Sequence, residues 1–235
     1  MATHLLTPQG AALEFALGDV LLPGGLGFQV FKPTYELFDV TPVRPPSPDN
    51  NSFAEPRSGI VVTDIEHRHS HSGGFNPSRN GDFRSSVGIN FRVPQTGFLT
   101  GSAVIQNLFN KFVFTAIDRF GFSSADLDAA HTIFVTIIRS GDITRFETIV
   151  FANGLVARGD DLSFSTSPIQ NSTPFRISFT TQETFVKGEQ IQILAGARVV
   201  TRTIVNDMHG SIRALTVWQV KSLSIGTRPA IVLTA

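Results

Sequence analysis

The segment with the most distinctive chemistry reads Glu66-His67-Arg68-His69-Ser70-His71 and is followed by two glycines at 73 and 74. Successive side chains of a β-strand point to opposite faces, so His67, His69 and His71 would share one face. Neutral imidazoles spaced in this way suit a transition-metal ion such as zinc or iron. The pattern therefore predicts a candidate metal site at these three histidines.

Two other interpretations of the histidine segment stay open. A polar strand end that stops at glycine can simply expose its histidines to solvent. A catalytic metal would also need an open coordination position, an oriented second shell and a general base, and alternation turns Glu66 away from the histidines, beside Arg68. We expect any metal here to be structural and the patch to be pH-sensitive, since imidazole binds metals in its neutral form.

The remaining candidates for chemistry are weaker. Asp160 and Asp161 follow a glycine, which favours a turn over a calcium site. Asp126 and Asp128 precede His131, but acids at the start of an exposed segment are ordinary. The sequence has no Gly-x-Ser-x-Gly elbow and no phosphate-binding glycine loop of standard spacing. We therefore expect no enzymatic activity.

Charge and hydropathy also exclude some partners. Nineteen basic residues balance nineteen acidic ones, so no net field attracts a polyanion. The stretch Phe109–Phe122 mixes basic and aromatic residues, but as a strand it would place Phe112 and Phe114 in the core. No secretory signal or long apolar run is evident. We expect a soluble chain without nucleic-acid binding or membrane insertion; a virion or extracellular location stays open.

The elements that must position these residues are short runs of β-branched and aromatic residues separated by Gly, Asn, Asp and Ser. Eleven such runs predict an all-β protein, an antiparallel β-sandwich or jelly roll. They are Ile60–His67, Val87–Val93, Phe98–Gln106, Phe112–Asp118, Thr132–Arg139, Phe146–Asn153, Phe175–Thr181, Gln190–Ala195, Arg198–Val205, Ser211–Val220 and Ala230–Leu233. One short helix is predicted over Ser123–Ala130, where a serine can cap the first turn.

Eight prolines between residues 1 and 58 indicate an extended arm, because proline cannot donate to a central strand ladder. Residues 59–235 are predicted to form the sandwich domain. The arm carries apolar residues such as Phe28, Val30 and Phe38, which would be unfavourable if left exposed. We therefore expect the arm to pack in extended form on its own chain or on a neighbouring one.

Two strand openings resemble those of the jelly rolls in the tumour-necrosis-factor and complement-head family. One is Thr96-Gly97-Phe98, and the other is Gly188-Glu189-Gln190-Ile191 within the segment 185–193, followed by a loop that ends at Met208-His209-Gly210-Ser211. Their order is the same as in that family. The resemblance implies a compact, trimer-forming head that binds partners through side-chain surfaces and does no chemistry.

A second resemblance concerns His69-Ser70-His71-Ser72-Gly73, which is similar to His-x-His segments of trimeric phage-type tail fibres. There the same two histidines from three chains hold one ion on the threefold axis. This resemblance implies a homo-oligomer with a structural metal shared between subunits.

Three functional hypotheses follow. The first is a non-enzymatic structural protein, a self-associating subunit of a capsid, fibre or surface assembly. The second is a lectin-like module that binds a glycan or protein receptor through its loops. The third is a metal-dependent enzyme built around His67, His69 and His71. We favour the first, as a trimer or larger homo-oligomer.

Overall fold

The computed structural model describes residues 28–41, 50–70, 78–118, 123–168 and 173–229. These residues form two antiparallel sheets that pack face to face, which confirms the predicted β-sandwich. The strands are β1 (Gln29–Phe31), β2 (Leu37–Thr41), β3 (Phe53–Glu55), β4 (Ile60–Ser70), β5 (Ser78–Arg92), β6 (Gly97–Asp118), β7 (Ser124–Arg139), β8 (Asp142–Arg158), β9 (Leu162–Ser165), β10 (Phe175–Phe185), β11 (Gln190–Asn206) and β12 (Met208–Arg228). The described ranges contain no helix with the length and apolar character of a membrane span.

The strand order differs between the two sheets. The first sheet runs β10-β6-β12-β4-β3, with β1 also paired to β12 and β9 to β6. The second sheet runs β2-β5-β11-β7-β8. Strand β12 therefore lies at the centre of the first sheet, while β8 forms an edge of the second.

Several strands are long. Strand β6 has 22 residues, which corresponds to roughly 70 Å at about 3.3 Å per residue. Alternate residues of β12, including Ile212, Ala214 and Trp218, face the interior and are buried. This period of two is what one buried sheet face requires.

The helix predicted over Ser123–Ala130 is wrong, since this segment opens strand β7. Its residues alternate: Ala125, Leu127 and Ala129 are buried in the core, and the aspartates between them lie on the other face. The serine and acidic residues that favour a helix start are overridden by pairing with β11 on one side and β8 on the other.

Two pairs of predicted strands are in fact single strands. The runs predicted on either side of Asn107 join in β6, and those on either side of Gly196 join in β11. At Gly196 a Cβ atom would stand 2.1 Å from the backbone oxygen of Ser85. This glycine marks a close approach of strand β5, where sequence alone indicates a turn.

The described part of the predicted arm lies on the sandwich of its own chain. Strand β1 pairs with β12, β2 with β5, and β3 with β4. Residues 1–27 and 42–49 of the arm, and the strand predicted over Ala230–Leu233, lie outside the described residues.

The interior between the sheets contains two apolar clusters that follow one another along the strands. One is built around Ile105, Ile133 and Trp218. The other is built around Phe112 and Leu127. The strands β4, β6, β7, β11 and β12 contribute to both clusters, so the two form successive parts of one sandwich.

Candidate functional site

Strand β4 carries the two described members of the predicted histidine site. His67 and His69 both face the interior of the sandwich, towards β11 of the opposite sheet. On the other face, Arg68 donates from Nε and Nη2 to the two carboxylate oxygens of Glu66, at 2.9 and 2.8 Å. The alternation inferred from the sequence is therefore present in the structure.

Both histidines are hydrogen-bonded across the sandwich. Nδ1 of His67 and Oγ1 of Thr201 are 2.7 Å apart, and Nδ1 of His69 and Oγ1 of Thr203 are 3.1 Å apart. His69 is only 2% exposed. The interpretation of the segment as a solvent-exposed strand end is therefore wrong for His69, because the second sheet covers it.

Burial favours the neutral form of the His67 ring. It lowers the pKa of His67, and the neighbouring His69 and Arg79 lower it further through charge repulsion. On the outer face, the hydrogen bond from Arg68 lowers the pKa of Glu66. His67 therefore presents a neutral nitrogen ligand, the form that binds metals.

The donor chemistry of the histidine site fits a transition metal in part. A histidine whose Nδ1–H donates to an oxygen presents Nε2 to a metal, and Thr201 and Thr203 can accept such bonds. Structural zinc, however, takes four ligands. In the part of the chain that the structure describes, no group of three His, Cys, Asp or Glu side chains is placed to hold an ion.

The third predicted ligand, His71, lies outside the described residues. The metal at His67, His69 and His71 therefore stays a prediction. Because His69 is enclosed within one chain, an ion shared between subunits would depend mainly on His71.

The weaker acidic candidates do not converge on a site. Asp126 and Asp128 lie on the outer face of β7, whereas His131 faces the interior, with its ring 4.2 Å from that of Phe112. Asp161 follows the turn at Gly159, and its Oδ1 accepts a hydrogen bond of 2.6 Å from the backbone N–H of Asp118. The turn predicted at this point is therefore confirmed.

Strand β8 is a feature that the sequence analysis did not single out. Its 17 residues form an edge of the second sheet, and within the described ranges it pairs only with β7. Ile149 is 67% exposed and Val156 56% exposed, and Ile143 is similarly exposed. The β-branched and aromatic residues of this segment indicated a strand over Phe146–Asn153, but not its place at an edge.

Charged side chains lie beside this edge on the outer face of the second sheet. Arg198 of β11 donates from Nε to Asp82 at 2.8 Å and from Nη1 to Glu147 of β8 at 2.9 Å. The guanidinium group of Arg145 lies over the ring of Phe134, 5.5 Å from its centroid. These contacts hold β8 against its own sheet, and among the described strands none pairs with its outer edge.

No protein-family model matches the sequence, and no curated protein matches it. One solved structure to which the chain is similar is that of infectious bursal disease virus, Gx strain, at 13% sequence identity and a TM-score of 0.11. The alignment covers 84% of this chain and 51% of the viral chain, so this chain spans about half of that chain's length. A TM-score this low does not indicate a common fold. The family resemblances inferred from sequence therefore stay predictions.

Proposed function

We propose that the chain is a non-enzymatic structural protein, a self-associating β-sandwich subunit of a capsid, fibre or surface assembly. The observation that carries this proposal is the long, apolar edge strand β8. An unpaired strand edge presents a row of backbone donors and acceptors that another chain can pair with. Proteins that stay monomeric usually protect such edges.

The protection of β8 is slight. The strand sequence contains neither proline nor lysine, two residues that often block edge pairing. It carries four charged residues, of which Glu147 is paired with Arg198 of its own sheet. One bulge, opposite the step from His131 to Thr132, interrupts its pairing with β7. The edge itself is 17 residues long, about three times an ordinary strand, so a partner strand would gain many hydrogen bonds.

Apolar side chains on the N-terminal strands add to the argument. Val30 of β1, Phe38 of β2 and Phe53 of β3 are all exposed on the single chain. A contiguous apolar patch commonly marks a surface that a protein partner covers, whereas single exposed apolar side chains are ordinary. The three side chains are therefore secondary candidates for contact with other copies, after β8.

The edge is tested by placing a charge on it. We expect Val156→Lys to reduce the number of chains per particle measured by light scattering, because a lysine on an edge strand opposes pairing. The control is Val186→Lys, which places the same charge at a site that is 59% exposed but outside β8. The trimer implied by the family resemblance is tested in the same measurement on the unaltered chain.

The proposal fails if the unaltered chain is a monomer at all concentrations. The part of the proposal that assigns the contact between chains to β8 fails if Val156→Lys and Val186→Lys assemble equally well. Circular dichroism of both variants shows whether the sandwich itself is retained.

A further inference from the structure

A layer of polar side chains crosses the interior of the sandwich where the two apolar clusters meet. We name it the polar layer, and its members are Thr63, Asn107, Asn110, His131, Thr216 and Trp218. Each of the six residues is at most 1% exposed. Polar groups buried this deeply need hydrogen-bond partners, because burial removes those that water would supply.

Strand register brings the members together. Thr216 of β12 lies between Thr63 of β4 and Asn110 of β6, and Trp218 of β12 lies opposite Asn107 of β6. All five face the interior, where directly opposite residues on neighbouring strands are about 5 Å apart at Cβ.

His131 approaches from the opposite sheet and closes the layer. Its ring stacks on Phe112, which follows Asn110 by two residues on the same face of β6. The ring of Phe151 lies 6.5 Å from His131 and 6.2 Å from Trp218. Aromatic rings therefore link the two sides of the layer.

Eight polar atoms of this layer have no hydrogen-bond partner among the described residues. They are Oγ1 of Thr63 and Thr216, Oδ1 of Asn107, Oδ1 and Nδ2 of Asn110, both ring nitrogens of His131 and Nε1 of Trp218. One unpaired buried polar atom costs more than a typical hydrogen bond contributes, and native stability is a small difference between large terms. Eight such atoms in one layer indicate partners other than the described residues.

We propose that the polar layer is a binding site for a cluster of ordered water molecules enclosed by the sandwich. The layer offers donors at Trp218, Asn110 and the hydroxyls, and acceptors at the amide oxygens and at one nitrogen of His131. Water matches such a mixed set because it donates and accepts equally. A buried water molecule needs about two to four polar partners, and the layer offers eight unpaired atoms.

The sign of one stability change tests the proposal. Thr216→Val keeps the shape of the side chain and removes the hydroxyl. If water bonds that hydroxyl, the variant strips the water of a partner and lowers the urea midpoint of unfolding. If the layer is dry, the variant removes an unpaired polar atom and raises the midpoint, which would overturn the proposal.

A matched control gives the scale of the expected loss. Oγ1 of Thr181 is buried, accepts from the backbone N–H of Leu99 at 3.0 Å and donates to the carbonyl of Glu183 at 2.9 Å. Thr181→Val therefore breaks known hydrogen bonds. We expect Thr216→Val to shift the midpoint in the same direction as Thr181→Val.

A second measurement uses the unaltered chain. Trp218 is the only tryptophan, so its indole N–H gives one unambiguous nuclear magnetic resonance signal. We expect that signal to show a cross-peak to water with the sign of a rigidly bound molecule. Absence of the cross-peak overturns the proposal, and so does mass-spectrometric detection of a stoichiometric small organic molecule released when the purified chain is unfolded.

Discussion

His131 shows how strongly burial alters a side chain whose type alone says little. The ring lies among Phe112 and Phe151 in the core, and burial lowers its pKa to about 3. A histidine in an unfolded chain has a pKa of about 6.5. Between these two values the unfolded chain binds the proton and the folded chain does not.

We therefore expect His131 to make the fold sensitive to acid. Its contribution to stability is complete above about pH 6.5 and is lost as pH falls towards 3, because protonation then favours the unfolded chain. From pH 7 to pH 5 the loss is about 2 kcal/mol. Urea denaturation at both pH values should show this loss in the unaltered chain and a correspondingly smaller one in His131→Phe, which does not titrate. An equal loss in both chains would contradict this role.

The histidine site illustrates what sequence can and cannot place. Alternation predicts that His67 and His69 share a face and that Glu66 pairs with Arg68, because both follow from neighbours within a few residues. Their partners on β11 are 134 residues away in sequence. That contact depends on how two sheets are stacked, and no local pattern encodes it.

Among the strands, β7 shows why a local signal failed. A capping serine and early aspartates favour a helix. The strand is nevertheless the more favourable structure, because it buries Ala125 and Leu127 on one face and pairs with both β8 and β11. The same limit applies to β6 and β11. Each contains polar or glycine residues that mark turns in isolated segments, and pairing on both sides carries the strand through them.

The close approach at Gly196 gives a prediction for β11. We expect Gly196→Ala to lower the free energy of unfolding by about 1–3 kcal/mol, because the new Cβ atom would meet the backbone of β5 at 2.1 Å. Urea denaturation measures the change. The control is Gly154→Ala on β8, where the nearest atom is Oδ1 of Asp128, at 2.7 Å, and the nearest backbone atom, the oxygen of Leu127, is 3.1 Å away.

A carboxylate at the end of a side chain can move aside, so Gly154→Ala should cost less than about 1 kcal/mol. If the two alanine variants are equally stable, the strands do not approach at Gly196 as described.

The polar layer also bears on how long strands find their register. A shift of two residues preserves the alternation of buried and exposed side chains. It would, however, move Thr63 and Asn110 away from Thr216 and bring their polar atoms into contact with apolar side chains. We infer that the polar layer makes such shifts unfavourable in free energy.

For the molecule as a whole, composition and periodicity were enough to predict an all-β sandwich, since a period of two over eleven segments leaves few other architectures. The predicted metal depends on His71 and, if it is shared, on neighbouring chains, so no pattern within one chain fixes it. We expect purified chain to contain zinc or iron by elemental analysis, and His69→Ala to lose it.

Thr203→Val is the matched control for that loss. It removes the hydroxyl that bonds to His69 and leaves the imidazole in place, so metal content should be largely retained. If the unaltered chain contains no zinc or iron, the histidines only tie the two sheets together.

The central position of β12 has a consequence for the order of events during synthesis. This strand pairs with β6 on one side and β4 on the other, and it follows both in the chain. Until residues 208–228 have left the ribosome, no strand lies between β4 and β6. The first sheet then remains in two separate parts. Pairings between such distant segments form slowly because a long loop must first be closed. A nascent chain that lacks β12 would therefore leave one edge of β4 and one edge of β6 unpaired, and unpaired edges of this kind are prone to wrong pairing.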